Sequence, residues 1–325
     1  MKKLTLHILE TPQEMLAIEE IQRQLWAGTD RDIVPDHMLL AVAHNGGLVI
    51  GAIEIEARGE AIEQPAPDEI EFLDRSNPPE QAELVGFVFG FPGIYTTPDG
   101  PRLKHCSHML GVLPEYRDQG LGFQLKRAQW QMVRHQGIDR ITWTYDPLLS
   151  RNAHLNIARL GTVCNGYIRD AYGEMRDEMN QGLPSDRFQV DWWVNSRRVL
   201  RRMSKRPHAQ LDLAHYLAAG IPIINPTRIG ADDLPRPAGP DEIVPFAGQS
   251  MLLVEIPADF MKLKATDREL AIAWRLHTRS LFEELFQSGY LATDAVYLSG
   301  THPRSFYVMT FGEADIMGIN KTHRP

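Results

Sequence analysis

The stretch Val112-Leu113-Pro114-Glu115-Tyr116-Arg117-Asp118-Gln119-Gly120-Leu121-Gly122 decides the fold. Ahead of it runs a short apolar segment, Met109 to Val112. Behind it Leu121, Leu125, Ala128 and Met132 recur at spacings of four, three and four, the period of a helix. Strand, loop and helix therefore follow one another. Pro114 has no N–H to give a sheet ladder and ends the strand, while Gly120 and Gly122 let the chain bend with no Cβ in the way. The N–H groups at the helix start, the positive end of its dipole and the Arg117 guanidinium together suit a phosphate-bearing ligand.

The spacing says which kind of phosphate loop this is. Neither the dinucleotide form G-x-G-x-x-G nor the P-loop form G-x-x-x-x-G-K-[ST] is present. What stands is Arg117-x-x-Gly120-x-Gly122, after Val112-x-Pro114-x-Tyr116. In these residues the chain resembles the GNAT superfamily of acyl-CoA-dependent N-acyltransferases, whose pyrophosphate loop reads [QR]-x-x-G-x-[GA] after a strand ending V-x-P-x-Y. The resemblance covers about residues 1–196. It implies an α/β (α+β) fold with a mixed, largely antiparallel sheet flanked by helices. It also implies acyl-CoA, acetyl or succinyl, as cosubstrate, with no metal. Coenzyme contacts would come from Leu110, Gly111 and Val112 on the strand and from Arg117, Asp118, Gln119, Gly120, Leu121 and Gly122 in the loop.

Further segments are similar to one bacterial and archaeal subfamily of the same superfamily, whose members are predicted acyltransferases. These are His105-x-Ser107-His108-Met109-Leu110-Gly111-Val112, Asp146-Pro147-Leu148, Asn152-Ala153-x-Leu155-Asn156 and Gly182-Leu183-Pro184-Ser185-Asp186-Arg187. Some members are linked to N-acylamino acid metabolism, including N-succinylation, so the acceptor implied is a small-molecule amine or amino acid.

Composition agrees with a small-molecule enzyme. The 325 residues, 43% hydrophobic and 23% charged, have the make-up of a soluble globular protein with room for one large or two modest domains. A net charge of -8 argues against nucleic acid or an anionic membrane as the main partner. Cys106 and Cys164 are too few for a disulfide framework or a zinc set, which points to a reducing, cytoplasmic setting. The start of the chain has no signal-peptide h-region, and no apolar run reaches membrane-spanning length. A homo-oligomer is left open.

In chain order, Leu4 to Leu9 alternates as a strand, and Pro12 opens a helix with Met15, Ile18, Ile21 and Leu25 on one face, closed by Gly28. Met38 to Ala43 and Leu48 to Ile55 flank His44-Asn45-Gly46-Gly47 and read as a hairpin. Ala57 to Ala82 is acidic and proline-bearing, an exposed insertion. Leu84 to Phe91 is a strand, Gly93 to Arg102 a turn-rich connection, and His105 to Val112 a strand. After the phosphate-type loop come a helix to Gly137, a strand Arg140 to Tyr145, a helix Ser150 to Leu160, and strands Thr162 to Ile168 and Phe188 to Val194. Gly182 to Arg187 reads as a turn at the sheet's edge. The basic run Arg197, Arg198, Arg201, Arg202, Lys205 and Arg206 reads as a solvated helix or linker. The proposed organisation is a domain over 1–199, a linker over 200–245, and a C-terminal α/β segment over 246–325. In that segment Met251 to Pro257 echoes Met109 to Pro114, and Thr266 with Glu269 makes a capping box for a long helix closed by Gly289. Two strands, Thr293 to Leu298 and Ser305 to Thr310, follow. Any repeat has lost the phosphate loop.

Acyl transfer needs an unprotonated amine, a polarised carbonyl and a held thioester. Strand alternation puts His108, Leu110 and Val112 on one face and Ser107, Met109 and Gly111 on the other, so His108 stands beside the thioester that the resemblance implies and is the candidate general base. His105, on the opposite face, is the weaker candidate. Tyr145, Ser150 and Tyr167 are the candidate acids, with a CoA thiolate that leaves without any acid as the alternative, and Cys164 reads as a buried structural thiol. By resemblance Asn152 lies near the coenzyme; the family's usual tyrosine one or two turns later is absent, with Arg159 near its place. A succinyl carboxylate would need a cation, for which Arg151, Arg159 and Arg187 are the candidates. The reading of another class is a non-catalytic acyl-CoA-binding regulatory protein that keeps the fold.

Overall fold

The computed structural model describes residues 2–26, 33–56, 73–74, 83–173, 182–204 and 210–312. In chain order its first elements are β1 (Lys2–Ile8), α1 (Pro12–Leu25), α2 (Asp36–His44), β2 (Leu48–Glu56), β3 (Leu73–Asp74), β4 (Glu83–Thr97), β5 (Gly100–Val112), α3 (Leu121–His135) and β6 (Arg140–Tyr145). Then come α4 (Ser150–Ala153), β7 (Val163–Ile168), β8 (Arg187–Trp193), α5 (Arg197–Met203), α6 (Leu213–Ala218), β9 (Arg228–Ile229) and β10 (Pro235–Arg236). The chain closes with β11 (Met251–Ile256), α7 (Phe260–Thr266), α8 (Arg268–Gln287), β12 (Tyr290–Leu298) and β13 (Arg304–Phe311). The architecture is mixed α/β, with largely antiparallel sheets flanked by helices. Two compact units emerge, residues 1–143 with 203–206 and residues 144–202 with 207–325, so the division falls inside β6, away from the 199/200 position expected. The 57–82 insertion lies outside the described residues apart from β3. No helix among the described residues is long and apolar enough to cross a membrane.

In the first unit the strand order is β6-β5-β4-β2-β1-β3, antiparallel except where β1 meets β3 and β5 meets β6. Thr11 starts α1 with a full capping box: its backbone N–H donates to Glu14 Oε2 at 2.8 Å, and its Oγ1 accepts from Glu14 N–H. Met15, Ile18 and Ile21 are then buried against the sheet, as their spacing requires. The expected first arm of a hairpin at Met38 to Ala43 is instead helix α2. Its apolar run fits either period. Pro35 at the start and Asp36 in the first turn favour a helix, and burial of Leu39 beside α1, β2 and β4 selects it. The expected turn-rich connection Gly93 to Arg102 is also different. Here β4 and β5 run on as one long hairpin that pairs Gly93 with Lys104 and Thr96 with Pro101, turning at Pro98 and Asp99 before Gly100 at φ +112°.

A β-bulge interrupts this hairpin. Phe89 pairs with Met109 but Gly90 pairs with Ser107, which leaves His108 as the extra residue of β5. The bulge changes every facing beyond it. His105 and Ser107 meet α3 through Gln129, while a Cβ on Gly111 would run into Leu25, Phe87 and Trp26 on the α1 side. Val112 returns to the α3 side, where it and Leu125 lie over Gly86. The alternation that put His108 with Val112 is therefore wrong: one inserted residue shifts the pleat by a position. Opposite the bulge, Gly90 leaves room for the His105 ring and the Gln129 amide, and a Cβ there would also sit 2.7 Å from the Cys106 carbonyl oxygen. Gly90→Ala is expected to destabilise the unit by about 1–3 kcal/mol through this overpacking, measured as a lower urea midpoint at unchanged slope.

In the second unit the order is β11-β13-β12-β7-β8, with α8 against β7 and β12. β12 meets β7 at Ala292 and Cys164, so the C-terminal strands extend the sheet that β7 and β8 begin. The 200–245 stretch carries the end of α5, then α6, β9 and β10. Long helix α8 begins at Asp267, whose side chain accepts from Leu270 N–H at 2.9 Å; Thr266 ends α7, so the Thr266–Glu269 capping box is not formed. Gly289, at φ +90°, closes the helix as expected. Phe188, Phe282 and Tyr307 make the aromatic centre, with ring centroids 4.7 to 5.3 Å apart. Of the basic run, Lys205 and Arg206 lie outside the described residues, and the rest is only partly solvated. Arg198 donates to the carbonyls of Gly161, Ile157 and Thr293, and Arg202 pairs with Asp294 at 2.8 Å.

The Gly182–Arg187 segment, read as a turn at the sheet's edge, leads into β8 and has Asp186 fully buried. Arg279 on α8 grips its two oxygens at 2.7 and 2.8 Å, Tyr167 Oη donates at 2.8 Å and Asp170 N–H at 3.1 Å. Burial alone would raise the Asp186 pKa; the hydrogen bonds from Arg279, Asp170 and Tyr167 outweigh it and hold the carboxyl below its ordinary value. A depressed folded-state pKa gives stability that is present above the unfolded value, about 3.9, and lost as pH falls through the folded one. Asp186→Asn should cost about 1–3 kcal/mol at neutral pH, since the half-buried Arg279 loses its two-point carboxylate and keeps only Asp170 at 3.9 Å. It should also flatten the loss of stability on acidification, both read from denaturant titrations between about pH 2 and pH 7.

Candidate active site

Two features of the first unit meet at the C-terminal end of β5. The first is the loop. After a 3-10 turn at Pro114–Tyr116, Asp118 takes φ +63° and Gly120 φ +79°, and α3 begins at Leu121. The first amides to bond back are those of Phe123 and Gln124, both to the Gly120 carbonyl, so Leu121 and Gly122 precede the helix's own ladder. Arg117 Nε donates to the Val112 carbonyl at 3.0 Å and, among the described residues, forms no ion pair. Gln119 Nε2 donates to the Glu115 carbonyl at 3.0 Å, which braces the turn. Free amides at a helix start, a left-handed glycine and an unneutralised guanidinium form an anion cradle.

The second feature is a fork in the sheet. β6 pairs with β5 at His105↔Ile141 and Cys106↔Thr142. Beyond those two positions, the residues of β5 up to Val112 pair with β4 alone among the described residues. The edge from Ser107 to Val112 spans five steps, about 16 Å of extended chain, and offers backbone groups to an added strand. Leu110, Gly111 and Val112 lie on it and the cradle lies at its end, so the strand and loop residues named from the sequence come together.

Each face of the fork carries its own polar group. On the α1 face His108 sits between the rings of Phe89 and Phe91, at centroid distances of 5.9 and 6.0 Å, with its other side exposed. Desolvation by these rings lowers its pKa, so it stays neutral further into the acid range than a free histidine. On the α3 face lies a network that the sequence reading missed. Lys126 Nζ donates to Ser107 Oγ at 2.7 Å and to Gln129 Oε1 at 3.2 Å; Ser107 Oγ donates to Gln129 Oε1 at 2.9 Å; Gln129 Nε2 meets His105 Nε2 at 3.1 Å. His105 is buried, its Nδ1 has no hydrogen-bond partner among the described residues, and burial together with the Lys126 charge pushes its pKa down to about 3. This removes His105 as a base near neutrality. The missed signal was that Lys126 and Gln129 are three apart and so share a helix face, next to the one that carries Leu125 and Ala128.

The remaining candidates belong to the second unit. Asn152 is half-buried at the start of α4, its N–H on the Leu149 carbonyl. The expected helix Ser150 to Leu160 is α4 followed by a π-helical turn, His154–Arg159, which breaks the polar row of Asn152, Asn156 and Arg159: Asn156 is buried, Arg159 exposed. Arg151 is exposed, whereas Arg187 donates to the Asp186 carbonyl and lies 4.0 Å from Asp146. Asp146 is gripped at both oxygens by the buried Arg275. The three candidate acids are engaged: Tyr145 Oη with Tyr307 Oη at 3.0 Å, Ser150 Oγ with Ser305 Oγ at 2.8 Å, and Tyr167 Oη with Asp186. Burial pushes both tyrosines well up. Burial also pushes the Cys164 thiol up, and its Sγ faces the Gly166 carbonyl, which fits a structural role.

No family model matches the chain, and no curated protein matches it. Solved structures do resemble it. The ribosomal-protein-S18-alanine N-acetyltransferase from Escherichia coli is 14% identical, over 59% of this chain and 94% of that one, with a TM-score of 0.40. NAA60 of Arabidopsis thaliana in complex with acetyl-CoA is 15% identical, over 59% and 99%, with a TM-score of 0.43. A GNAT-family acetyltransferase from Streptococcus pneumoniae is 11% identical, over 58% and 98%, with a TM-score of 0.39. Likeness at this level transfers no activity to this chain.

Proposed function

We propose that the protein is an N-acyltransferase that moves an acyl group from acyl-CoA to the amino group of a small molecule or amino acid. The observation that supports this most is the joining of an anion cradle to an unpaired strand edge. In this reading the amides of Leu121 and Gly122 with Arg117 hold the pyrophosphate, and the pantetheine amides pair along Val112 toward Ser107. A backbone N–H near the bulge polarises the thioester carbonyl. Acetyl-CoA is the default donor and succinyl-CoA the narrower proposal, with Arg151, Arg159 and Arg187 as the cations to test. Turnover with an amine panel separates the enzyme from a regulatory acyl-CoA-binding protein, a reading favoured by the engagement of Tyr145, Ser150 and Tyr167.

The cradle can be tested on Gly120. At φ +79° a β-branched residue is strained whatever the space around it, so Gly120→Val should reopen the loop and weaken acyl-CoA binding by at least about tenfold, with the fold kept. Calorimetric titration reads this, and unchanged affinity in a folded variant sinks the assignment.

His108 is the proposed base, acting on the acceptor ammonium directly or through a water. Its lowered pKa keeps it neutral, and so able to accept a proton, to lower pH than an ordinary histidine. His108→Ala should lower turnover roughly a hundredfold near neutral pH with little change in CoA affinity, and the deficit should shrink as pH rises. His108→Gln, which keeps hydrogen bonding but cannot titrate, should be as slow. Wild-type turnover in the glutamine variant would make His108 a packing residue of the bulge.

A further inference from the structure

The α3 side of the fork holds a buried ammonium with no carboxylate beside it among the described residues. Lys126 is 2% exposed and, among the described residues, makes no ion pair. Its Nζ bonds Ser107 Oγ at 2.7 Å and lies 3.7 Å from the centroid of the Trp143 ring. Ser107 and Trp143 are the first residues past the last β5–β6 pair, His105↔Ile141 and Cys106↔Thr142. The ammonium therefore touches both arms of the fork at its closed end. An extended arm that starts at the α3 N-terminus and pairs along β5 has to stop there, because β6 takes the edge from Cys106 backward. If the donor lies as proposed above, its sulfur is the end of that arm.

Acyl transfer forms a C–N bond and breaks a C–S bond, leaving a thiolate that needs a proton and an acceptor nitrogen that has lost one. The three hydroxyls named from the sequence as candidate acids are each hydrogen-bonded within the second unit: Tyr145 to Tyr307, Ser150 to Ser305 and Tyr167 to Asp186. We propose that Lys126 is the proton donor to the departing thiolate. Nζ gives one proton to sulfur and becomes a neutral amine; coenzyme A leaves as the thiol. From an ammonium acceptor the nitrogen loses two protons in all, each passing by way of His108 to solvent, and Lys126 takes one back before the next turnover; the sum is one proton released per ammonium consumed.

The surroundings of Nζ suit the task. Burial lowers the Lys126 pKa to about 7, which makes its ammonium a far readier donor than an exposed lysine. The Ser107 oxygen, the Gln129 carbonyl and the Trp143 face are what hold the charged form. The titratable group facing it is His105 from β5, held neutral by burial and by the Lys126 charge, while α3 offers Gln129 and β6 offers Trp143, neither of which titrates.

Lys126→Met keeps a buried unbranched chain and removes the proton. The expected result is acyl-CoA affinity by calorimetry within about threefold of wild type, with kcat at saturating amine down roughly a hundredfold. In the wild type the required form is the ammonium, so kcat should fall as pH rises through about 7, and the methionine variant should lack that limb. A wild-type kcat level from about pH 6 to pH 9, with an amine that is neutral throughout, overturns the proposal without any variant. So does a methionine variant that turns over at the wild-type rate. Either result with acyl-CoA still bound removes only Lys126's role, whereas a wild type that binds no acyl-CoA removes the donor site and this inference together.

Discussion

β5 and β6 run parallel and share only two paired positions, at His105 and Cys106. Parallel neighbours normally continue their ladder, and an edge left unpaired carries amides and carbonyls that require a partner. Two devices keep this edge where it is. On one side the bulge at His108 twists β5 away after Ser107, and Gly90 opposite it leaves the space that His105 and Gln129 fill. On the other, the network of Lys126, Ser107, Gln129 and His105 ties the last paired residues to α3. A buried polar network holds one geometry only when its members are satisfied together, and here the exceptions are the His105 Nδ1 and a cation without a carboxylate. Both exceptions stand at the fork.

The second unit is held differently. Asp146 with Arg275, Asp186 with Arg279, and Glu255 with Arg304 are each two-point carboxylate–guanidinium contacts with at least one member buried. Arg275 and Arg279 are one turn apart on α8, and their carboxylates come from the end of β6 and the start of β8. Such pairs cost desolvation and contribute little net stability, but their forked geometry admits one register of helix against sheet. Long helix α8 is thereby fixed along its length by charge at two places and by Phe282 and Phe286 around Phe188.

What the sequence determined by itself was local. The left-handed glycine at 120, the end of β5 ahead of Pro114, and the start of α3 at Leu121 follow from backbone sterics within a few residues, and the anion cradle was legible for that reason. The strands at 140–145 and 251–256 were legible too, because β-branched and aromatic runs bounded by Pro, Asp or Gly need no distant information. Other features depended on partners remote in the chain. Met38 to Ala43 fits two periods, and only packing beside α1 and β4 makes it a helix. The facing of His108 was decided by an inserted residue that shows only in the pairing with β4. Asp186, read as part of a turn at the sheet's edge, is buried where Arg279, 93 residues away, meets it. Nothing local marks Lys126, whose charge is buried only by the convergence of Ser107, Gln129 and Trp143. Propensity and loop sterics act within a few residues, whereas register, facing and the burial of charge are settled by contacts that exist only once the chain has closed on itself.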